Sequence, residues 1–381
     1  MNKVYFPNLN GLRFIAALLV IVHHIEQFKD LLGFKNYWHN PFVAGVGKLG
    51  VTLFFVLSGF LITYLLLTEK HETKTISIKD FYIRRILRIW PLYYLVIGLS
   101  FFVFSKIPFL EISDWSTFLF DRIALKLFLF VVFLPNLALI TFPPVPFASQ
   151  SWSVGVEEQF YLIWPILMKK AKNKEFILYF VIVSYLIIYL IGFPLLKQFY
   201  WSNYMQVIKD FVHFLSIDCM AIGGLFALYL FKKNKILKFL YNKYIQITTL
   251  VSLIILIGLG VGIPYVHFEV YAILFGIVIL NLASNPKSVL NLEYKPLHYL
   301  GKISYGIYMY HPLGIIIALK GLNILGTRSV LLQYFFCILI TTLIASLSYH
   351  FLESYFIKKK VLFSKILSGD TSANERLKKI I

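Results

Sequence analysis

Residues 50–68 read GVTLFFVLSGFLITYLLLT, which is 19 consecutive residues without a charged side chain. At 1.5 Å of rise per residue, a helix of this length crosses a bilayer core of about 30 Å. Similar blocks recur along the whole chain, in which 59% of the 381 residues are hydrophobic and 14% are charged. Soluble domains carry about a quarter charged residues. The sequence therefore predicts an all-α protein that crosses a membrane many times and has no room for a sizeable soluble domain.

The fold class that these blocks predict is a polytopic transmembrane helix bundle with about ten spans. The spans cover residues 9–28, 50–68, 89–105, 152–168, 176–196, 211–231, 244–264, 267–283, 303–320 and 329–356. Segment 122–141 is also apolar, but a full crossing there would invert every later loop and move the lysines of segment 169–174 to the outside. We therefore predict that it is a re-entrant or interfacial segment on the outer side. Eleven spans are the alternative.

The basic residues explain both the orientation and the net charge. The formal net charge is +19, and 27 of the 37 Lys and Arg residues fall on the side of the N-terminus. Cytoplasmic loops carry such an excess, so we predict that both termini lie in the cytoplasm. Because the bilayer and its anionic lipids account for the charge, we expect no nucleic-acid partner. Cys219 and Cys337 lie in apolar blocks without metal-ligand spacing, so we expect neither a disulfide nor a metal site.

Ionisable side chains within the spans are candidates for function, because hydrocarbon penalises them. Arg13 and His24 are 11 residues apart, which places them on one stripe of the first helix with about 16 Å between them along the axis. Glu157 and Glu158 fall at a depth similar to that of His24 in the fourth span. A carboxylate beside an imidazole suits a general base. Structural hydrogen bonding between helices is the alternative explanation for all of these groups.

Two further clusters suggest binding. Arg84, Arg85 and Arg88 lie at the inner end of the third span, where guanidinium groups either anchor the helix or clamp phosphates. The spacing of Ser304, Tyr308 and His311 puts three polar side chains on one helix face, which fits either a sugar site or an interfacial belt.

Taken in order, five stretches of the sequence resemble the acyltransferase-3 family of bacterial membrane acyltransferases. They are NLNGLRFIAALLVIVHH, GVTLFFVLSGFLITYLL, FYIRRILRIWPLYYL, SWSVGVEEQFYLIWPIL and GKISYGIYMYHPL, and they extend from residue 8 to about residue 313. The resemblance carries the family's Arg and His motif onto Arg13 and His24, and its arginine pair onto Arg85 and Arg88. It carries the family's SW-x-x-x-x-EEQFY block onto Ser151–Tyr161, including Trp152, Glu157 and Glu158. Asn10, Thr52 and Tyr310 depart from the usual Asp, Asp and Trp.

The resemblance implies an O-acyltransferase in the bacterial cytoplasmic membrane. It implies that an acyl group, with acetyl the first candidate, moves from cytoplasmic acyl-CoA to a hydroxyl of an extracytoplasmic carbohydrate. In this reading Arg13, His24, Glu157 and Glu158 are catalytic, and Arg84, Arg85 and Arg88 bind acyl-CoA. The acceptor pocket contains Trp152, Ser304, Tyr308 and His311. Acyl-CoA is a co-substrate, and no bound cofactor is expected.

The remaining expectations concern the domain boundaries, the route from the inner arginines to His24 and the alternative function. We expect a transmembrane domain over residues 1–357, a polar cytoplasmic tail over residues 358–381 and no appended extracytoplasmic domain. We also expect one continuous tunnel to join the inner arginines to His24. A transporter or flippase for a lipid-linked saccharide is the alternative, because its pathway would also need intramembrane His, Arg and Glu.

Overall fold

The structure, a computed structural model, describes residues 3–112, 119–199 and 202–369. The described chain is almost entirely helical, and the main helices are α1 Leu9–Leu31, α2 Pro41–Thr73, α3 Ile78–Phe102, α4 Ile123–Val131, α5 Pro135–Thr141, α6 Trp152–Lys170, α7 Lys174–Ile187, α8 Phe193–Phe199, α9 Asn203–Leu215, α10 Ile217–Phe231, α11 Ile236–Leu240, α12 Lys243–Gly258, α13 His267–Ser284, α14 Lys295–Lys302, α15 Ser304–Ile324, α16 Val330–Ser348 and α17 Ser354–Lys360. The predicted all-α polytopic bundle is confirmed.

Eight helical rods in the described residues are long and apolar enough to cross a membrane. They are Leu9–Leu31, Pro41–Thr73, Ile78–Lys106, Lys174–Phe199, Asn203–Phe231, His267–Ser284, Ser304–Ile324 and Val330–Phe363. Each contains one of the predicted spans, apart from the first residue of the spans 303–320 and 329–356. The other two predicted spans correspond to α6 and α12, which are helices of 19 and 16 residues. The count of crossings thus depends on α6, which is long enough but carries several charged residues, and on the shorter α12.

Several rods are built from more than one helix. A π-turn at Ile188–Gly192 joins α7 to α8, and another at Tyr349–Glu353 joins α16 to α17. Such turns hold a long helix together while changing its direction locally. Between α9 and α10 the chain bends at Ser216, whose φ is 41°.

The apolar segment 122–141 does not form one spanning helix. Phe133, with a φ of 59°, lies between α4 and α5, and this left-handed conformation interrupts the helix. The two pieces contain 9 and 7 residues. At 1.5 Å per residue, neither crosses a core of about 30 Å. This break agrees with a re-entrant or interfacial segment.

The core of the bundle depends on a close crossing between α2 and α10. A Cβ atom at Gly59 would lie 1.9 Å from the carbonyl oxygen of Met220, and one at Gly223 would lie 2.0 Å from that of Val56. Only glycine permits this approach, because small residues let two helix backbones meet. The crossing fixes α2, which carries one wall of the cavity described below.

Both ends of the described chain lie on the same side of the bundle. Strand β1 (Lys3–Val4) pairs in parallel with strand β2 (Leu367–Ser368). This arrangement requires an even number of crossings, as the predicted topology does. The structure contains no membrane, so the cytoplasmic placement of this side stays a prediction.

Candidate active site

A cavity of about 230 Å³ opens near the paired terminal strands and extends into the bundle. Its walls come from α1, α2, α3, α6, α15 and the two terminal segments. Val4 and Gly369 mark the terminal end, and Ser153, Tyr308 and Phe54 belong to the lining deeper in the bundle. The cavity is therefore a pocket that starts at the side of the chain termini.

Four cationic side chains line this cavity, and together they make it strongly basic. They are Arg13 on α1, Arg85 and Arg88 on α3, and Lys360 at the end of α17. Glu157 is the single carboxylate in the lining formed by the described residues. Arg13 donates to the Asn10 side chain over 3.0 Å, and this partner is a neutral group.

Of the three arginines of α3, Arg85 and Arg88 line the cavity and Arg84 does not. The Arg85 guanidinium lies between the rings of Phe81 and Tyr161, 5.5 Å from each ring centre. Arg84 points elsewhere: it donates to Glu69 over 3.1 Å and to the backbone carbonyl of Phe363 over 2.8 Å. The prediction grouped Arg84 with Arg85 and Arg88, but the structure separates it because Glu69 and the Phe363 carbonyl hold its guanidinium outside the cavity lining.

Glu157 and Glu158 also face different surroundings. The hydroxyl of Tyr161 donates to Glu157 over 2.8 Å and lies 2.5 Å from the hydroxyl of Ser58, and all three side chains line the cavity. Glu158 is 8% exposed and accepts from the indole of Trp90 over 3.2 Å. Glu157 thus belongs to the cavity, whereas Glu158 packs between α6 and α3.

Of the predicted acceptor residues, some line the cavity and others lie outside it. Ser304 and Tyr308 line the cavity. The Tyr308 hydroxyl donates to the carbonyl of Gln150 over 2.7 Å and lies 2.6 Å from the hydroxyl of Ser153. Trp152 is outside the lining, with its ring centre 4.9 Å from that of Phe214. The Tyr308 side chain is therefore held in place at the cavity wall.

His24 belongs to a cluster of three histidines rather than to the cavity lining. Its ring centre lies 4.6 Å from that of His311 on α15 and 4.9 Å from that of His23, and the ring of His23 packs against Trp38. His311 is fully buried. Its Nδ1 lies 2.6 Å from the carbonyl of Tyr308, so a single residue connects the cluster to the cavity wall.

Backbone carbonyls fix the tautomer of each histidine in this cluster. Nδ1 of His24 lies 2.8 Å from the carbonyl of Val20, and Nδ1 of His23 lies 2.7 Å from that of Val43. His311 makes the equivalent bond. A carbonyl oxygen only accepts, so Nδ1 carries the hydrogen in each neutral ring and Nε2 keeps a lone pair. His24 is thereby prepared to accept a proton at Nε2.

Two predicted features of the site differ from the structure. His24 was expected to pair with Glu157 or Glu158, but its partners in the described chain are the Val20 carbonyl and the rings of His23 and His311. Similar depth suggested the pairing, but α1 packs against α15, and α6 packs against α2, α3 and α5. The expected continuous tunnel is likewise absent from the described residues, because the cavity lining includes Tyr308 but not His24.

Comparison with known proteins identifies the family. A model of the acyltransferase domain matches residues 6–350. The chain belongs to the acyltransferase-3 family. Arg13, His24, Arg85, Arg88 and Glu157 all lie in the matched region. The family match ends ten residues before the fourth cation of the cavity.

Relatives that are named for an enzymatic activity match most of the chain. Over 93% of its length it is 27% identical to the peptidoglycan O-acetyltransferase OatA of Listeria monocytogenes, of which it covers 56%. It is 28% identical, also over 93% of its length, to the O-acetyltransferase OatA of Staphylococcus aureus, of which it covers 58%. The chain thus spans somewhat more than half the length of these relatives. No solved structure matches it.

Sequence reasoning missed two parts of the cavity. Ser58 and Tyr161 bond to each other beside Glu157; both lie in stretches that carry the family resemblance, but neither was assigned to the site. Lys360 ends the run of three lysines 358–360, which was assigned to a polar tail. Such a run resembles ordinary positive-inside anchoring, so only the folded chain shows that one of the three faces the cavity.

Proposed function

We propose that this protein is a membrane O-acetyltransferase of the bacterial cytoplasmic membrane. It takes an acetyl group from acetyl-CoA on the cytoplasmic side and transfers it to a hydroxyl of a cell-wall carbohydrate of the peptidoglycan class. Membership of the family supports acyl transfer, and the names of the relatives suggest the acceptor. The observation that carries the choice of donor is the basic cavity at the side of the chain termini.

The cavity suits the polar end of acetyl-CoA. Arg13, Arg85 and Arg88 present guanidinium groups, which bind phosphate oxygens through paired hydrogen bonds. Their charges are close enough to interact with one another, and Glu157 balances only part of them. A polyanion would relieve this repulsion. In this proposal the phosphates remain near the opening and the thin pantetheine arm extends toward Tyr308.

The transfer itself needs one base. Nε2 of His24 removes the proton of the acceptor hydroxyl while the hydroxyl oxygen attacks the thioester carbonyl carbon. The carbon–sulfur bond then breaks, the sulfur leaves as a thiolate and takes up the proton, and the acetyl ester and free CoA are the products. General base catalysis of this kind contributes about 10²- to 10⁴-fold to the rate. Transient acetylation of His24 is the alternative two-step route.

The proposed mechanism requires side chains at the inner end of the cavity to move when the donor binds. The route from the cavity to His24 passes Tyr308 and His311, whose side chains are packed and hydrogen-bonded. They must shift when the donor is bound, so that the thioester reaches His24. Exclusion of bulk water from this passage would limit hydrolysis of the thioester.

The test uses the purified full chain in proteoliposomes with labelled acetyl-CoA and a defined peptidoglycan fragment as acceptor. We expect the label to appear as an alkali-labile ester on the fragment, detected by mass spectrometry. Glycans from cells with and without the protein provide the matching comparison in vivo. Movement of a lipid-linked saccharide without consumption of acetyl-CoA would instead support a flippase and overturn the proposal.

A further inference from the structure

The chain beyond the family match returns to the cavity. After α17, residues 361–369 form a short segment, which we call the strap. Phe363 in the strap accepts a hydrogen bond from Arg84, and β2 at its end pairs with β1. Gly369 lies in the cavity lining. The strap therefore links two residues of the cavity lining, Lys360 and Gly369, and is held by hydrogen bonds at Phe363 and at β2.

Lys360, the last residue of α17, lies where the strap begins and faces the cavity. It shares this lining with three arginines, Arg13, Arg85 and Arg88. Among the described residues Lys360 makes no ion pair. A fourth cation beside three others is repelled by them unless an anion lies between, because like charges at close range disfavour one another.

The neighbouring lysines show what ordinary anchoring looks like. Lys358 and Lys359 are exposed, and the ammonium of Lys359 lies 4.3 Å above the ring of Tyr355. Neither lines the cavity. The sequence alone does not distinguish these three consecutive lysines. Their different surroundings arise from the turn of α17 and the course of the strap.

We propose that Lys360 is an anion-binding residue of the donor site, which contacts a phosphate group of the nucleotide part of the thioester. Residues 361–369 position it there, because the bonds from Arg84 to Phe363 and from β1 to β2 hold this segment beside the cavity. This inference rests on the proposed function for the identity of the donor. It adds a binding residue that lies outside residues 6–350, the region that the family model matches.

The experiment measures binding of CoA to the purified full chain in detergent by titration calorimetry. Lys360→Gln removes the charge and keeps most of the length of the side chain, Lys360→Arg keeps the charge, and Lys359→Gln is the matched control on the same helix. We expect Lys360→Gln to weaken CoA binding about tenfold, the usual effect of losing one hydrogen bond to a charged group. Lys360→Arg should bind within threefold of wild type, and Lys359→Gln within twofold.

The outcomes separate this inference from the function on which it rests. Unchanged CoA affinity in Lys360→Gln would overturn the role of Lys360 and leave the donor proposal intact. Equal loss in Lys360→Gln and Lys360→Arg would show that the charge is not responsible and would also overturn it. A wild-type chain that does not bind CoA would overturn the donor proposal, and this inference with it. Thermal unfolding of each variant shows that the chain is folded during the titration.

Discussion

The basic cavity and the histidine cluster differ in how their polar groups are satisfied. In the cavity, four cations share one carboxylate and face open space. In the cluster, His23, His24 and His311 each bond to a backbone carbonyl and their rings pack together at 4.6–4.9 Å. The first arrangement has more cations than anions, whereas the second holds three rings by their Nδ1 atoms and leaves the buried Nε2 of His311 without a hydrogen-bond partner among the described residues.

This difference suggests a division of labour along α1. Arg13 and His24 lie about 16 Å apart along the helix axis, so one helix reaches both regions. In the proposed function, the cavity supplies donor affinity and the cluster supplies the proton transfer. Substitutions in the two regions should then change different kinetic constants. The predictions below test this separation, beginning with the largest expected effect.

His24→Ala should remove the base. We expect kcat for acetyl transfer to fall by about 10²- to 10⁴-fold, because general base catalysis is lost. The affinity for CoA should stay within twofold of wild type, since His24 lies outside the cavity lining. Steady-state assays and CoA titration measure the two quantities. Wild-type turnover in this variant would end the assignment of His24, and a parallel loss of CoA binding would contradict the separation of the two regions.

Arg88→Gln should affect the cavity alone. We expect KM for acetyl-CoA to rise by about 10- to 100-fold, the range for loss of a hydrogen bond to a charged group, with a smaller change in kcat. Arg122→Gln is the control, because Arg122 precedes α4 and does not line the cavity. A variant in which kcat falls and KM is unchanged would place Arg88 in the chemical step instead.

His311→Ala should disturb the cluster without removing the base. The ring of His311 packs against that of His24, so its loss frees His24 to leave the productive orientation. Misplacement of a reacting group is costly, and we expect kcat to fall about tenfold. His311→Phe, which restores a ring, should recover most of the activity if packing is what matters. No recovery in His311→Phe would point to a direct role for the His311 imidazole.

The helical fold followed from the sequence because apolar length alone decides whether a segment can cross a bilayer. Eight of the ten predicted spans coincide with long apolar rods. The position of the helix break at Phe133 was not predictable from the sequence. Phenylalanine seldom adopts the left-handed backbone conformation, so its presence does not indicate such a break. The pairing of β1 with β2 involves two residues in each strand and joins the two ends of the described chain. No local sequence pattern predicts such a contact.

The sequence indicated individual residues of the site but not which of them lie next to one another. Motif positions indicated Arg13, Arg85, Arg88 and Glu157, which the fold brings to one cavity. Depth along a helix then suggested a pairing of His24 with a glutamate, but depth does not say which helices are neighbours. The packing of α1 against α15 decided that point, and the turn of α17 decided which lysine faces the cavity.

Arg84 offers the finest test, because sequence and structure assign it different roles. As a phosphate ligand it would contact the donor directly. In the structure it donates to Glu69 and to the Phe363 carbonyl of the strap, so it would act on the donor only by positioning Lys360. We expect Arg84→Gln to raise KM for acetyl-CoA about threefold in the wild-type background and to have no further effect in Lys360→Gln, because residues that act through one another are not additive. Steady-state kinetics of the two single variants and the double variant measure this coupling. If the two effects add in full, Arg84 binds the donor independently of the strap, and the cavity has a wider anion site than its present lining indicates.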